Sequence, residues 1–256
     1  MTSVGKPSGA EVVRPVIGKL RSLGLEGEAE LQAFLKLIKV RGCLGRGEEI
    51  IDAGSSPSHS SVLLTGIACS YRRLQDGSRH IFTFHHPGDF CDLHRYVLPE
   101  RNGAVAVAAI TDGLVGTICH KDLDQTLVQH PKLGLALWRA TMLEASIIRE
   151  KLVNVSRRSA LQRVVHLLCE QLARREAIGI NCATIPLNQV DLADAAGLSV
   201  VHVNRTVQGL RMLGVLTPDS RSIEVTDKKR LLQIANFDAR YLSMPKVLSN
   251  WTIDTQ

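Results

Sequence analysis

Hydrophobic and polar positions keep two different periods along this chain. Between about Glu48 and Cys119 the apolar residues fall in short runs broken by turn residues, which is the pattern of β-strands. Runs at 61–64 and 67–71 flank a Thr65-Gly66 turn. A run at 79–84 returns after Gln75-Asp76-Gly77-Ser78, where glycine tolerates a positive φ. His86-Pro87-Gly88-Asp89 closes that run, and runs at 104–110 and 114–119 surround Thr111-Asp112-Gly113. Strands this short and this regularly punctuated predict a small barrel or roll.

The period then changes to that of a helix. Pro131 suits the first turn of a helix, and Leu135, Trp138, Met142, Ala145, Ile148, Leu152 and Val155 follow at steps of three and four. Leu137 is expected to widen this stripe, while Ala140, Leu143 and Ile147 lie elsewhere on the helix. That is more apolar surface than one neighbouring domain covers. The second face predicts a partner helix, hence a homodimer held by Trp138, Met142, Ala145, Ile148 and Leu152. Ser156-Arg157-Arg158-Ser159 interrupts the pattern, and a further helix is expected over 160–175.

Residues 187–216, LNQVDLADAAGLSVVHVNRTVQGLRMLGVL, carry the most specific pattern. Asn188 is a helix cap with Asp191 near the positive helix end, and Val190, Leu192, Ala193 and Ala196 are expected to be buried. Gly197 supplies a tight turn with Leu198 plugging the core behind it, and Ser199 caps a second helix. Val203, Val207, Leu210 and Leu213 form its inward face. At about 100° per residue, Val201, Asn204, Arg205 and Gln208 point the other way, with His202 to one side. A helix that enters the major groove needs such a set: aliphatics anchoring it behind, and short or forked polar groups in front. Apolar residues at 213–216, a turn at Thr217-Pro218-Asp219-Ser220, and 222–225 read as a wing, with Arg221 at its tip for a phosphate.

Composition bounds this picture without directing it. The chain has 256 residues, 45% hydrophobic, enough for two modest domains. Its mean hydropathy of +0.04 and short apolar runs offer no membrane span, and the polar start offers no secretory signal, so a cytoplasmic protein is expected. Six cysteines lie scattered without a C-x-x-C pair, which argues against a disulfide scaffold or a zinc ribbon. A net charge of +6 and a pI near 9.1 permit nucleic-acid binding without requiring it. Gly-rich phosphate loops, G-x-S-x-G elbows and H-E-x-x-H helices are absent, so no enzyme is expected and no metal or cofactor is assigned.

Residues 192–208 resemble the winged helix-turn-helix of the Crp–Fnr family, in particular members reading LADALGLSxVHVNRTLQxLR. Upstream, Pro87-Gly88-Asp89-Phe90 with Asp92-Leu93-His94 resembles the PGDF.DLH sensor turn of that subgroup, and the likeness runs from about Ile17 to Tyr241. The resemblance implies an α+β protein: a cyclic-nucleotide-binding-like β-roll with an N-terminal helix over 1–120, connecting and dimerisation helices over 121–156, and a winged helix-turn-helix with a C-terminal tail over 157–256. It implies a homodimeric regulator that binds double-stranded DNA and works with RNA polymerase. Its DNA-binding residues would be Ser199, Val201, His202, Asn204, Arg205, Gln208 and Arg221. Arg205 would take the place of the arginine that reaches guanine O6 and N7. Where the family commonly reads a neighbouring base with glutamate, this chain has Val201, which can touch a thymine methyl but cannot accept a hydrogen bond from cytosine.

The sensor's signal stays open. The Arg-Ser pair that holds a cyclic nucleotide's phosphate in this family is missing from Asn102-Gly103-Ala104-Val105, with Arg101 nearby. The closely spaced N-terminal cysteines of an iron–sulfur sensor are missing too, Cys43 being the first. His80, His85, His86 and His94 leave haem or a metal as an alternative, and Cys91 with Cys119 leave oxidation. The effector pocket is expected around Asp89, Cys91, Asp92 and His94. A rival function, a cyclic-nucleotide module acting on a protein partner, leaves the wing and Arg205 without a purpose.

Overall fold

The computed structural model describes residues 9–54, 58–98, 105–218, 223–244 and 250–251. Short helices α1 (Gly9–Val12), α2 (Arg14–Ser22) and α3 (Glu28–Leu35) lead into β1 (Lys39–Leu44), β2 (Glu49–Ile51), β3 (His59–Thr65), β4 (Ala68–Arg73) and β5 (Arg79–His85). Then come α4 (Leu93–Val97), β6 (Ala106–Ala109) and β7 (Gly113–Cys119). Two sheets result, ordered β1-β7-β3 and β2-β6-β4-β5. The pairings of β1 and β3 with β7, and of β2 with β6, are antiparallel. Between them Leu44, Ile50, Ile51, Leu63, Ala68, Cys91, Val107, Ala109 and Val115 form one buried cluster. The expected roll is present. β1 was not expected, because five of its six residues are exposed and no alternation marks it.

The turn at 86–91 is built into β3 rather than hanging from it. Leu63 N–H donates to the Asp89 carbonyl at 2.9 Å, and Gly88 N–H to the Leu63 carbonyl at 2.7 Å. Asp89 accepts from Lys19 Nζ at 2.6 Å and from the His86 N–H at 2.8 Å, tying α2 to the turn. Gly88 sits at φ +93°, and a Cβ there would lie 2.5 Å from the Pro15 carbonyl oxygen. This position therefore needs glycine twice over, for conformation and for space.

Helices dominate the rest. After α5 (His120–Gln129) come α6 (Pro131–Arg157), α7 (Ala160–Ala177), the short strand β8 (Thr184–Ile185), α8 (Gln189–Ala196) and α9 (Val200–Met212). β9 (Ile223–Glu224), α10 (Lys228–Ala235) and a 3-10 turn (Ala239–Leu242) follow. One face of α6 buries Leu133, Ala136, Leu137, Ala140, Leu143 and Ile147. Leu137 thus belongs to the buried face and not to the second stripe. That stripe is open: Trp138 is 64% and Leu152 65% exposed, and Leu135, Met142 and Ile148 are exposed with them, while Ala145 is half-buried.

The break after α6 is pinned by side chains. Ser159 caps α7 in a capping box with Gln162, and the buried Asn154 donates to the Arg163 carbonyl at 3.2 Å. Contacts divide the chain into two compact units. The first takes the chain up to Ser70 together with Phe84–Met142; the second takes Tyr71–Thr83 and everything from Leu143. The tip of the β4–β5 hairpin therefore belongs to the second unit.

Gly88→Ala should lower the stability of the first unit by about 2–3 kcal/mol, combining an unfavourable φ with a backbone collision. Urea unfolding followed by circular dichroism is the measurement; a change below about 0.5 kcal/mol would mean the turn relaxes freely.

Candidate DNA interface and sensor cavity

The helix pair forms as its local chemistry dictates. The Asn188 side chain accepts from the Asp191 N–H at 2.8 Å, and Asp191 Oδ2 accepts from the Asn188 N–H at 3.2 Å, so each satisfies an orphan donor of the other. Gly197 ends α8 in the left-handed region at φ +63°, and Ser199 then caps α9 by accepting from the His202 N–H at 3.2 Å. Val203, Val207 and Leu210 are fully buried. Val201, His202, Asn204, Arg205 and Gln208 are all exposed, with Val201 at 62%, and Ser199 is exposed at the helix start.

Three inward assignments are corrected. Val190 is 47% exposed, because the buried face of α8 is made by Asp191, Leu192, Ala193, Ala195 and Ala196. Leu213 is 45% exposed, as α9 has ended and the chain turns through Gly214. Leu198 is half-buried and does not plug the core. One link was not anticipated: Asn204 Nδ2 donates to Gln189 Oε1 at 3.0 Å, joining the outward face of α9 to the first turn of α8.

The wing has an extra strand. Thr184 and Ile185 pair antiparallel with Glu224 and Ile223, and Leu216 bridges Val225. Two residues are too few for any periodicity, so β8 left no mark in the sequence. Arg221, and Asp219 and Ser220 of the expected 217–220 turn, lie outside the described residues. α9 carries no carboxylate along its thirteen residues. That suits a surface approaching a polyanion.

Within the first unit an open cavity of about 380 Å³ is lined by residues of β1, β2, β3 and β7, by Asp92, and by Arg95 of α4. Of the four expected effector residues only Asp92 lines it. Asp89 is engaged with Lys19 and His86, Cys91 is part of the core, and His94 is half-buried on α4. Arg95, buried beside Asp92, was missed, since a lone arginine in a short helix carries no sequence signal. The two adjacent histidines are both buried; His85 Nε2 lies 2.7 Å from Ser70 Oγ. Among the described residues no group of three or more His, Cys, Asp or Glu stands where it could hold a metal ion. Residues 101–104 are not described.

A roll of two short sheets together with a capped helix pair and wing defines a DNA-binding protein with an attached sensor-type domain. Comparison with known proteins agrees. The model of the Crp-like helix-turn-helix domain matches residues 162–234, and that of the cyclic nucleotide-binding domain matches 43–130. The chain thus carries a Crp-like helix-turn-helix domain and a cyclic nucleotide-binding domain, the pair of domains that supports a regulator of Crp–Fnr type.

Among its relatives, the transcriptional activator protein FnrL of Cereibacter sphaeroides is 29% identical over 220 residues, covering 83% of this chain and 87% of that one. The nitrogen fixation regulation protein FixK of Bradyrhizobium diazoefficiens is 28% identical over 211 residues, covering 81% and 86%. The solved structure of FixK2 from Bradyrhizobium japonicum superposes with a TM-score of 0.67 at 24% identity, over 77% of this chain and 96% of that one. The protein is a DNA-binding transcription regulator. No helix among the described residues is long and apolar enough to cross a membrane.

Asp92 gives the cavity a pH response. Burial pushes its carboxyl from 3.8 up to about 6, against the lowering effect of the Ser61 N–H and the nearby Arg95. Folding thus penalises the ionised form. The first unit should gain about 2–3 kcal/mol as pH falls from 7 through 6 towards 4, where the unfolded chain also takes up the proton. Asp92→Asn should flatten that slope in unfolding titrations; a slope that persists would assign it to another group.

Proposed function

We propose that the protein is a cytoplasmic homodimer that reads a two-fold DNA site through α9 and acts on RNA polymerase. Within its family we assign it to the subgroup with the GLSxVHVNR recognition helix. The observation that carries the DNA reading is the division of α9 into a back of fully buried aliphatics and a front bearing Arg205, Asn204, His202, Gln208 and Val201. Arg205 sits in the second turn, where a planar fork can pair with guanine in the major groove. Val201 is suited to a thymine methyl. The half-site is therefore expected to pair a guanine with a neighbouring thymine rather than with a base that needs an acceptor. Ser199, exposed at the positive end of the helix where it accepts from the His202 N–H, is suited to lie beside a phosphate.

Dimerisation is assigned to the open stripe of α6, Trp138, Met142, Ala145, Ile148 and Leu152. Large apolar side chains at heptad-like spacing stay exposed there only if something covers them. A second copy of the same helix would do so and would place two copies of α9 about 34 Å apart, one helical turn of DNA. The sensing function is assigned to the first unit. Loss of the phosphate-binding Arg-Ser pair argues against a cyclic nucleotide as its signal.

Two measurements test this. Arg205→Ala should weaken binding to a selected operator by about 1–3 kcal/mol and flatten discrimination at one base position. Equal losses on operator and scrambled DNA would make Arg205 a phosphate clamp instead. Replacing Ile148 and Leu152 together with Asp should give monomers in sedimentation and abolish operator binding; surviving dimers would place the interface elsewhere.

A further inference from the structure

The tip of the β4–β5 hairpin carries an arginine that no sequence pattern singles out. Arg79 donates from Nε to Asp194 Oδ2 at 2.7 Å and from Nη2 to Asp191 Oδ1 at 3.2 Å. Its guanidinium also stands 5.5 Å from the centre of the buried Tyr71 ring, which limits its orientation from the other side. The neighbouring His80 imidazole is hydrogen-bonded to the Asp194 backbone. Two consecutive residues of β5 thus grip one turn of α8 at three points.

The receiving carboxylates are not surface groups of convenience. Asp191 is almost completely buried and already closes the capping box of α8, so one carboxylate serves both the helix start and the hairpin. Asp194 lies one turn further along the same face and is four-fifths buried. A charge taken out of water this far needs a close cation, and Arg79 supplies it. Such a pair is sensitive to the loss of either partner, unlike an exposed ion pair.

α8 is also the element on which the reading helix is set. Only Gly197, Leu198 and Ser199 separate it from α9, and Gln189 of its first turn holds Asn204 at 3.0 Å. We propose that Arg79 is a positioning residue for DNA recognition: by clamping Asp191 and Asp194 it fixes α8, and through α8 the angle at which α9 presents Arg205 and Asn204 to the bases. The other ends of β4 and β5 run into the first unit, so the clamp is carried on a hairpin covalently continuous with the roll. The inference rests on the reading of α9 as the recognition helix.

The experiment uses the full-length protein and an operator recovered from random duplex DNA by selection with the wild type. Arg79→Ala should bind that operator about tenfold more weakly, the size of a typical coupling between distinct sites. Its affinity for scrambled DNA should stay within about twofold, because backbone phosphate contacts do not depend on the exact angle of α9. Asp194→Asn should do the same, the double variant should be no weaker than either single one, and Arg79→Lys should recover part of the loss.

A merely structural role would lower melting temperature and both affinities together and would leave the ratio between them unchanged. Should Arg79→Ala fail to fold, Asp194→Asn, which leaves the hairpin intact, carries the same expectation. An unchanged operator-to-scrambled ratio, losses that add in the double variant, or tighter operator binding would each overturn the proposal. Arg205→Ala measured alongside separates the two readings. If it removes discrimination while Arg79→Ala does not, only the positioning role falls; if it too leaves discrimination intact, the assignment of α9 falls.

Discussion

A base edge can be read only by a side chain whose backbone does not wander, and here that constraint falls on Val203, Val207 and Leu210. All three are fully buried. They hold α9 by its back, and the caps at Asn188 and Ser199 with the left-handed Gly197 set where it starts. Because the anchor uses only the buried face, the outward residues are free of packing duty. Val201, 62% exposed, can be exchanged for a polar or charged residue without any change in the fold. The same separation makes specificity alterable one position at a time.

α6 solves a different problem with the same means. Its first face buries Leu133, Ala136, Leu137, Ala140, Leu143 and Ile147, and its second remains apolar and open. A helix of 27 residues with two apolar faces is not stabilised by one neighbour alone. Its C-terminal end is also where Glu150 accepts from Arg158 at 2.6 Å and Asn154 from Arg158 at 3.4 Å, beside the start of α7. Whatever covers the open face therefore bears on the same helix that carries this junction.

The legibility of these parts follows from the range of the interactions that make them. Caps and inward faces of α8 and α9 are set by residues within four positions of one another, so the sequence carries them plainly. Errors arise where an element ends: Leu213 and Val190 continue the periodicity but lie at the limits of their helices, where the buried face has turned away. β1 and β8 were invisible because their pairing is set by a distant partner and not by their own alternation; Lys39 pairs with Thr117, and Thr184 with Glu224. Arg79 belongs to the same class, since only folding brings it beside Asp191 and Asp194, more than a hundred positions away. Trp251 is another such case: its Nε1 donates to Glu176 at 2.9 Å and Lys228 lies 3.8 Å from its ring centre, a docking made across 75 positions.

Charge shows the same limit of composition. A net charge of +6 is unremarkable for a soluble protein, and carboxylates are abundant in the second unit. Many of them are taken up internally: Asp191 and Asp194 by Arg79, Glu150 by Arg158, Glu176 by Lys228, Asp238 by Arg240. Each pairing draws a negative group towards a cation of the same unit, while α9 contributes Arg205 and Arg211 and no acid at all. The surface along α9 is thus more positive than the overall balance suggests. This arises less from added lysines than from where the aspartates and glutamates are held.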